Sequence, residues 1–452
     1  MSAINVRQFI DDRPISKYQI LVAVLTCLIV MFDGLDLTIM AFCAPEIIRE
    51  WGISKPNMAP VFGAAFFGLA AGAAVAGPIS DRYGRKVVLP LAVFLFGLFT
   101  LLAAAAQSTT MLIAMRTLSG VGLGAAIPNA VALMSEFAPK ARRNMLVTII
   151  FSGFTLGASG AGLVAAWAIP AFGWKGALML AGAMPMVAGL VLLFVLPESP
   201  VFLAAKGRGH DRIRKSLHRI APDAQIPEPS VFTTDKAIEA HKGAIRLIFT
   251  SQYRLTSILL AASYFMGLLT TYLLGNWLPV LARDAGFNMS QGVLLLTLYT
   301  LAGPVGGIAL GALMDRVKPA VVVSTAFALV AVMLAIIGFA PKSMLVTPAL
   351  ICVLGLFLHG TNTALNALAS NMFPVESGST GVSFMHAVGR FGAISSAFVG
   401  GAMLGFGWGL TEVFIALTIP MLLGCAAMFA LRGKVRIVDR AGLRPQTEAG
   451  HA

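Results

Sequence analysis

GPISDRYGRK at residues 77–86 closes one long apolar run, and GALMDRVK at 311–318 closes another, an offset of 234 residues. SEFAP at 135–139 and SNMFP at 370–374 repeat at almost the same spacing, 235 residues. Two independent matches at nearly one offset predict two halves of like orientation, related by an axis along a membrane normal, with a binding site near the midplane between them.

Composition carries the same message. The chain has 452 residues, 58% hydrophobic and only 12% charged, where soluble proteins carry about 25% charged residues. Apolar runs of about 20 residues, the length a bilayer-spanning helix needs, fall at 19–42, 57–79, 87–106, 111–134, 145–169, 175–196, 255–281, 290–314, 319–340, 344–371, 378–404 and 410–431. That predicts an all-α integral membrane protein with twelve spans in two six-helix bundles. Strands of a membrane barrel would instead alternate polar and apolar residues. The expected organisation is an N-terminal tail at 1–18, bundles at 19–196 and 255–431, a linker at 197–254 and a C-terminal tail at 432–452. The opening MSAINVRQFIDDRPISKY is too acidic, and too poorly divided into charged and apolar regions, for a signal peptide, so the first span is expected to remain in the mature protein.

The net charge of +13 would suit nucleic acid if the cations clustered on a soluble face. They sit instead in alternate loops and in the two tails. Arg49, Lys55, Lys175, Arg283 and Lys342 alone fall on the other side, and Arg116 and Arg390 lie within spans. The positive-inside rule then predicts both termini in the cytoplasm of a multi-pass protein of the inner membrane, with no nucleic-acid partner. The linker around KGRGHDRIRKSLHRI is expected to form short helices on the anionic leaflet. Cys27, Cys43, Cys352 and Cys425 have neither disulfide-framework nor metal-ligand spacing. No metal or cofactor is expected.

A charge within a span costs roughly 2.5–3.5 kcal/mol to insert, so each is a candidate functional group. Asp33 and Asp36 are spaced i, i+3 and share one face of the first span. Two carboxylates that close do not both ionise easily, so one readily holds a proton. The alternative is that one of them caps or orients a neighbouring helix. Arg116 enters the fourth span at similar depth and can pair with them, either as a relay or as a static bridge. Arg390 lies about 18 Å along the eleventh span, at 1.5 Å per residue, with no acidic neighbour in its own helix. Its planar fork matches a carboxylate bidentately, which predicts an organic acid as ligand; pairing with Asp36 or lining a gate is the competing reading. His386 lies one turn earlier on the same face, and His359 is at midplane depth in the tenth span. Each can donate to the ligand, share its proton, or be a satisfied interior histidine. Asn129, Asn276, Asn362 and Asn366 are polar candidates more typical of helix–helix hydrogen bonds. Phe32, Phe66, Phe67, Tyr272, Trp277 and Tyr299 can stack on a ring.

Gly77-Pro-Ile-Ser-Asp81-Arg82-Tyr-Gly84-Arg85-Lys86 resembles the loop signature of the major facilitator superfamily, and Arg116-Thr-Leu-Ser-Gly120-Val-Gly122-Leu-Gly124 resembles its fourth-helix motif. Pro197-Glu198-Ser199-Pro200 also matches several of its branches. Asp33-Gly34-Leu-Asp36 with Ala44-Pro45, Trp277-Leu278-Pro279, and Gly389-Arg390-Phe-Gly392-Ala-Ile394 resemble the aromatic acid:H+ symporters. The likeness spans essentially the whole chain. It departs at Arg316-Val-Lys318-Pro319, which lacks the Gly-Arg, and at Ser377-Gly378, where members often carry Arg.

The resemblance implies alternating-access import of an aromatic carboxylate with H+, without cofactor, by a monomer in the lipid bilayer. It implies proton coupling at Asp33, Asp36 and Arg116, and substrate contacts from Arg390, His386, His359, Asn129 and, favoured by the family, Trp277 and Tyr272. It also implies a cytoplasmic gate of Gly77, Asp81, Arg82, Gly84, Arg85, Lys86, Glu136 and Arg142, in which Asp81 meets the start of the eleventh helix and Arg85 meets Glu136. A non-aromatic organic acid or sugar acid is the alternative cargo. A drug/H+ antiporter is more remote, because the fifth span has no Gly-Pro pair. An enzyme is not expected: Gly-x-Ser-x-Gly, His-Glu-x-x-His and phosphate-loop motifs are all missing. Gly120–Gly124 superficially resembles a dinucleotide loop, but within an apolar span it reads as a helix-packing face.

Overall fold

Hydrocarbon offers no partner to a backbone N–H or C=O, so a chain this apolar must close its hydrogen bonds within helices or a barrel. It does so with helices. A computed structural model describes residues 2–224, 226–227, 230–234, 248–250, 253–341, 343–373 and 378–432. In chain order, β1 (Ser2–Asn5) and α1 (Val6–Asp11) precede the long helices α2 (Lys17–Trp51), α3 (Ala59–Tyr83), α4 (Arg85–Ala103), α5 (Thr109–Phe137) and α6 (Arg143–Val195). After α7 (Pro200–Ala205), α8 (His210–Ile220) and β2 (Ser230–Thr233) come α9 (Arg254–Asp284), α10 (Met289–Leu301), α11 (Gly303–Met314), α12 (Pro319–Phe339), α13 (Thr347–Met372), α14 (Gly378–Gly405), α15 (Leu410–Ala416) and α16 (Thr418–Leu431).

Among the described residues, eleven helical stretches are long and apolar enough to cross a membrane. The sequence predicts twelve because α6 covers both 145–169 and 175–196. Its chain turns at Gly173, at φ +69°, a value only glycine adopts freely, so two spans meet there with no intervening loop. α10 and α11 together form the eighth span, and α15 and α16 the twelfth. α2 continues past the predicted end at 42 because Pro45 is accommodated inside the helix. Lys342, Pro374, Ser377 and the tail at 433–452 lie outside the described residues.

Small residues bring the helices together, as expected where lipid tails are as apolar as leucine. Gly34 and Gly157 seat α2 against α6, with no room for a side chain at either. Gly120 and Gly124 seat α5 against α3, so the glycine cluster of the fourth span is a packing face, as its sequence context predicts. In the second half α9 packs on α14, α11 on α13, and α12 on α16. The outward faces carry exposed apolar side chains such as Leu163, Phe194 and Phe339.

Contacts between the halves gather at one end. Arg283 binds Glu46 at 2.7 Å and Lys55 binds Asp284 at 2.6 Å. Just inside these, Phe62 meets Trp277 and Phe66 meets Tyr272, with ring centroids 5.0 and 4.8 Å apart. Ser159 and Thr300 share a hydrogen bond of 3.2 Å. The Gly77–Lys86 loop lies at the opposite end.

The tail and linker form a small second layer at that opposite end. β1 pairs in parallel with β2, and Val6, Ile10, Leu203, Leu217, Ile220 and Phe232 close a core beneath α5. The linker does form short helices, but the apolar face of α8 packs into the protein at Ile213, Leu217 and Ile220. Every carbonyl from Ser135 to Ala138, at the end of α5, is met by a side chain that precedes or begins the first span. Arg7 donates to Ser135, Glu136 and Ala138 at 2.9, 3.4 and 3.0 Å, and Gln19 donates to Phe137 at 2.7 Å.

Candidate functional site

Asp36 is fully buried where α2, α4 and α5 meet. It accepts from Arg116 Nη1 at 3.0 Å and from the Thr100 hydroxyl, while Arg116 Nη2 reaches the Asp36 carbonyl at 3.3 Å. Such a pair stabilises little net of desolvation, yet losing one partner strands the other charge. Asp33, one turn earlier on the same helix, is equally buried, and neither carboxylate oxygen has a hydrogen-bond partner among the described residues. The two aspartates predicted to share a face therefore differ: one is bridged and one is held in reserve.

Arg390, on α14, is not part of that bridge. It is exposed and faces a cavity of about 550 Å³ between the halves, walled by Ala70, Ala73 and Ala74 of α3, Pro128 of α5 and His386 of α14. It forms no ion pair among the described residues. His386, half-buried on the same wall, approaches the Tyr264 hydroxyl of α9 at 3.5 Å. Tyr264 also borders a second cavity of about 550 Å³ between α6 and the helices α9, α11 and α13, with His359, Asn362 and Asn366 on its wall. Tyr272 borders the second cavity and meets Phe66 of α3 with ring centroids 4.8 Å apart. His359 packs on Tyr299 with ring centroids 4.8 Å apart and the planes tilted by 54°.

Two predicted substrate residues stand elsewhere. Trp277 is fully buried in the closed end against Phe62 and Gly400, and lines neither large cavity. Asn129 donates to the Ala125 carbonyl of its own helix at 2.8 Å and likewise lines neither. Their chemistry was legible in the sequence, but the rotation of their helices was not.

The loop at 77–86 is built around Arg85. Its guanidinium meets Asp81 at 3.0 Å, Glu136 at 3.2 Å and the Ser80 carbonyl at 3.5 Å, and lies 4.9 Å from the Phe202 ring centroid. Glu198 supplies a partner that sequence reasoning left without a role. Its Oε1 accepts from the backbone N–H groups of Arg85, Lys86 and Ser199 at 3.1, 3.4 and 3.1 Å, closing the amino end of α4. Burial pushes the Glu198 carboxyl above the usual carboxylate range, opposed by those three donors and the Arg85 charge. Gly84, at φ +91°, presses against Glu198 and leaves no space for a Cβ. Gly77 has open space around it, Arg82 lies over Tyr83, and Lys86 joins the cluster only through its backbone. Arg142 points to Met145, and it is Arg143 that is tied down, by Asp11 at 3.2 Å. Asp81 accepts from Arg85; residues 374–377, which precede the eleventh span, lie outside the described residues.

Besides Glu198, sequence reasoning missed Thr100 beside Asp36 and the Arg7–Asp11 pair under α5. No spacing signal marks Thr100, since a threonine in a span ordinarily bonds its own helix. Pro-Glu-Ser-Pro was visible as a motif without a partner.

The sequence pattern of the Major Facilitator Superfamily matches residues 26–353 and again 260–450. The chain is 40% identical over 436 residues to the 4-hydroxybenzoate transporter PcaK of Pseudomonas aeruginosa, covering 96% of this chain and 97% of that one. It is 39% identical over 427 residues to the gallate transporter of Pseudomonas putida, covering 94% and 95%. Its fold is similar to the inward-facing, unoccupied structure of a bacterial homolog of the human lysosomal transporter Spinster, with TM-score 0.67 at 17% identity over 92% of this chain and 95% of that one.

Proposed function

The chain belongs to the major facilitator superfamily, and from that premise we propose that it imports an aromatic carboxylate of the hydroxybenzoate type together with H+ by alternating access. The observation that carries this reading is Arg390, a guanidinium without an ion-pair partner among the described residues, facing a cavity between the halves. A cation so placed attracts an anion small enough to enter, and a carboxylate takes both prongs of its fork. His386 beside it, and the Tyr264 ring packed on His386 with centroids 5.0 Å apart, give an aromatic acid more to hold than an aliphatic one. The 4-hydroxybenzoate and gallate transporters, at 40% and 39% identity, support that cargo.

Proton coupling falls to Asp33, Asp36 and Arg116. Asp33 takes up a proton without breaking any contact, whereas protonating Asp36 weakens its bridge to Arg116 and loosens α2 from α5. The Asp81–Arg85–Glu136 cluster serves as the cytoplasmic gate. Both termini face the cytoplasm of the inner membrane, as the loop cations require, and the working unit is a monomer.

Counterflow in proteoliposomes loaded with benzoate, hydroxybenzoates or aliphatic acids tests the cargo; exchange of aliphatic acids alone overturns it. Accumulation that survives a protonophore overturns symport. In Arg390→Lys the charge stays but the fork is lost. We expect carboxylate affinity to fall roughly tenfold or more, as for a charged hydrogen bond worth about 1.5–3 kcal/mol. Unchanged affinity in that variant removes Arg390 from the site.

A further inference from the structure

α13 carries His359, Asn362, Thr363 and Asn366 on one face, at the three- and four-residue spacing of a helix stripe, in a largely apolar span. All four line the cavity between α6 and the second half. Part of their donor capacity is spent within the protein. Thr363 donates to the His359 carbonyl at 3.1 Å, and Asn362 Nδ2 donates to Thr271 Oγ1 at 2.8 Å. Asn366 Nδ2 donates to the Asn362 carbonyl at 3.0 Å and to the Tyr264 hydroxyl at 3.4 Å.

Their acceptors are not spent. Asn362 Oδ1, Asn366 Oδ1 and His359 Nε2 are buried with no partner among the described residues, and Asn362 as a whole is only 8% exposed. Unpaired buried polar atoms are uncommon and call for an explanation; three on one face of one helix, beside one cavity, share an explanation in a ligand that brings donors. A carboxylate brings none. A phenolic hydroxyl brings one and also accepts, so it suits either orientation of an asparagine amide.

Resting on the aromatic-acid reading above, we infer that Asn362, Asn366 and His359 form a subsite for ring hydroxyls, which selects hydroxylated aromatic acids over the unsubstituted ring. The position fits. The Tyr264 hydroxyl touches the Asn366 amide on one side and the His386 ring on the other, so those two groups lie within about 7 Å of each other. His386, on the wall of the Arg390 cavity, and Asn366, on the wall of the second cavity, are therefore about one ring apart, with Tyr264 between the two cavities. Hydroxyl recognition and carboxylate recognition fall on two neighbouring helices, α13 and α14, with Tyr264 of α9 between them.

Equilibrium binding to the purified full-length protein, with benzoate, 4-hydroxybenzoate and 4-methoxybenzoate as probes, tests this. The methoxy compound keeps the oxygen and removes the donor. The wild type is expected to bind 4-hydroxybenzoate about tenfold or more tighter than either of the others, since a site built to bond a hydroxyl rejects analogues that lack it. Asn366→Leu and Asn362→Leu should bring the ratio to within about threefold by weakening 4-hydroxybenzoate alone, and Asn366→Asp, which keeps an acceptor, should retain a preference. Equal binding of all three acids by the wild type overturns the subsite while leaving the carboxylate reading intact; no binding of any of them removes that reading as well. A wild-type ratio that persists in both leucine variants also overturns the subsite, and the wild-type series decides the question if a variant does not fold.

Discussion

Asp36 and Arg116, in the first half of the chain, spend their charges on each other at 3.0 Å in full burial, whereas Arg390, in the second half, keeps its guanidinium for a cavity. The repeated loops differ in the same sense. Arg85 of the first copy is gripped by Asp81, Glu136, Ser80 and Phe202, while Asp315, Arg316 and Lys318 of the second copy are exposed and form no side-chain hydrogen bond or ion pair among the described residues. Two halves with one topology have thus diverged in how they treat charge. Paired charges define a conformation and can be broken by a proton. Unpaired ones define an affinity and can be satisfied by a ligand.

The contrast breaks most visibly at Arg116. Arg116→Ala leaves Asp36 buried with only Thr100, and losing one partner of a buried pair costs about 3–5 kcal/mol. We expect a marked drop in the thermal unfolding midpoint in detergent. Arg116→Ala with Asp36→Asn should recover much of it, because the stranded charge is then gone. Arg390→Ala, by comparison, should leave the midpoint near the wild type. Equal destabilisation by the two single changes would mean that Arg390 also has an internal partner, and the division between the halves would fail.

The two loop copies allow a sharper comparison at smaller magnitude. Arg85→Ala removes one contact to each of two carboxylates, of which Asp81 is mostly exposed and worth little and Glu136 is largely covered. A loss of about 1–2 kcal/mol is expected, on the scale of a hydrogen bond to a charged group, with uptake rate falling several-fold and substrate affinity little changed. Arg316→Ala should stay within about 0.5 kcal/mol, as exposed substitutions do, and transport at the wild-type rate. Equal rate losses would give the second loop a gating role that its side chains do not show in this conformation.

Much of this was legible in the sequence for physical reasons. Apolar length fixes spans, glycine runs fix where helices approach, and a three-residue spacing puts Asp33 and Asp36 on one face. The depth shared with Arg116 anticipated its pairing with Asp36. What stayed hidden depends on helix rotation and on contacts between distant segments. The spans are apolar on nearly every face, so periodicity does not say which side looks inward. Trp277 accordingly reads like a substrate residue but sits in the closed end, and Asn129 turns to its own backbone. α6 reads as two spans because Gly173 and its neighbours resemble a loop, yet the chain turns there without one. Thr100 and Glu198 gain roles only once α4 lies beside α2 and the linker folds back under α4.

A further small effect is expected outside the membrane-buried charges, at the amino-terminal tail. Arg7 places a cation on the last carbonyls of α5, where the helix dipole favours it, and Asp11 holds that guanidinium with bonds of 3.2 and 2.8 Å while also accepting from the Lys140 backbone N–H at 2.8 Å. The same helix carries Arg116 in its first half and Glu136 in its last turn, so the tail grips the segment that links the buried pair to the loop cluster. Arg7→Ala should cost about 0.3–1 kcal/mol, the usual worth of a cation at a helix carboxyl end, and slow uptake modestly without altering affinity. If Arg7 acts by positioning Glu136, its effect on rate should shrink when measured in a Glu136→Gln background, where the gate contact is already weakened. An effect of the same size in both backgrounds would show that the tail supports the fold alone, and that the paired charges of the first half need no help from it.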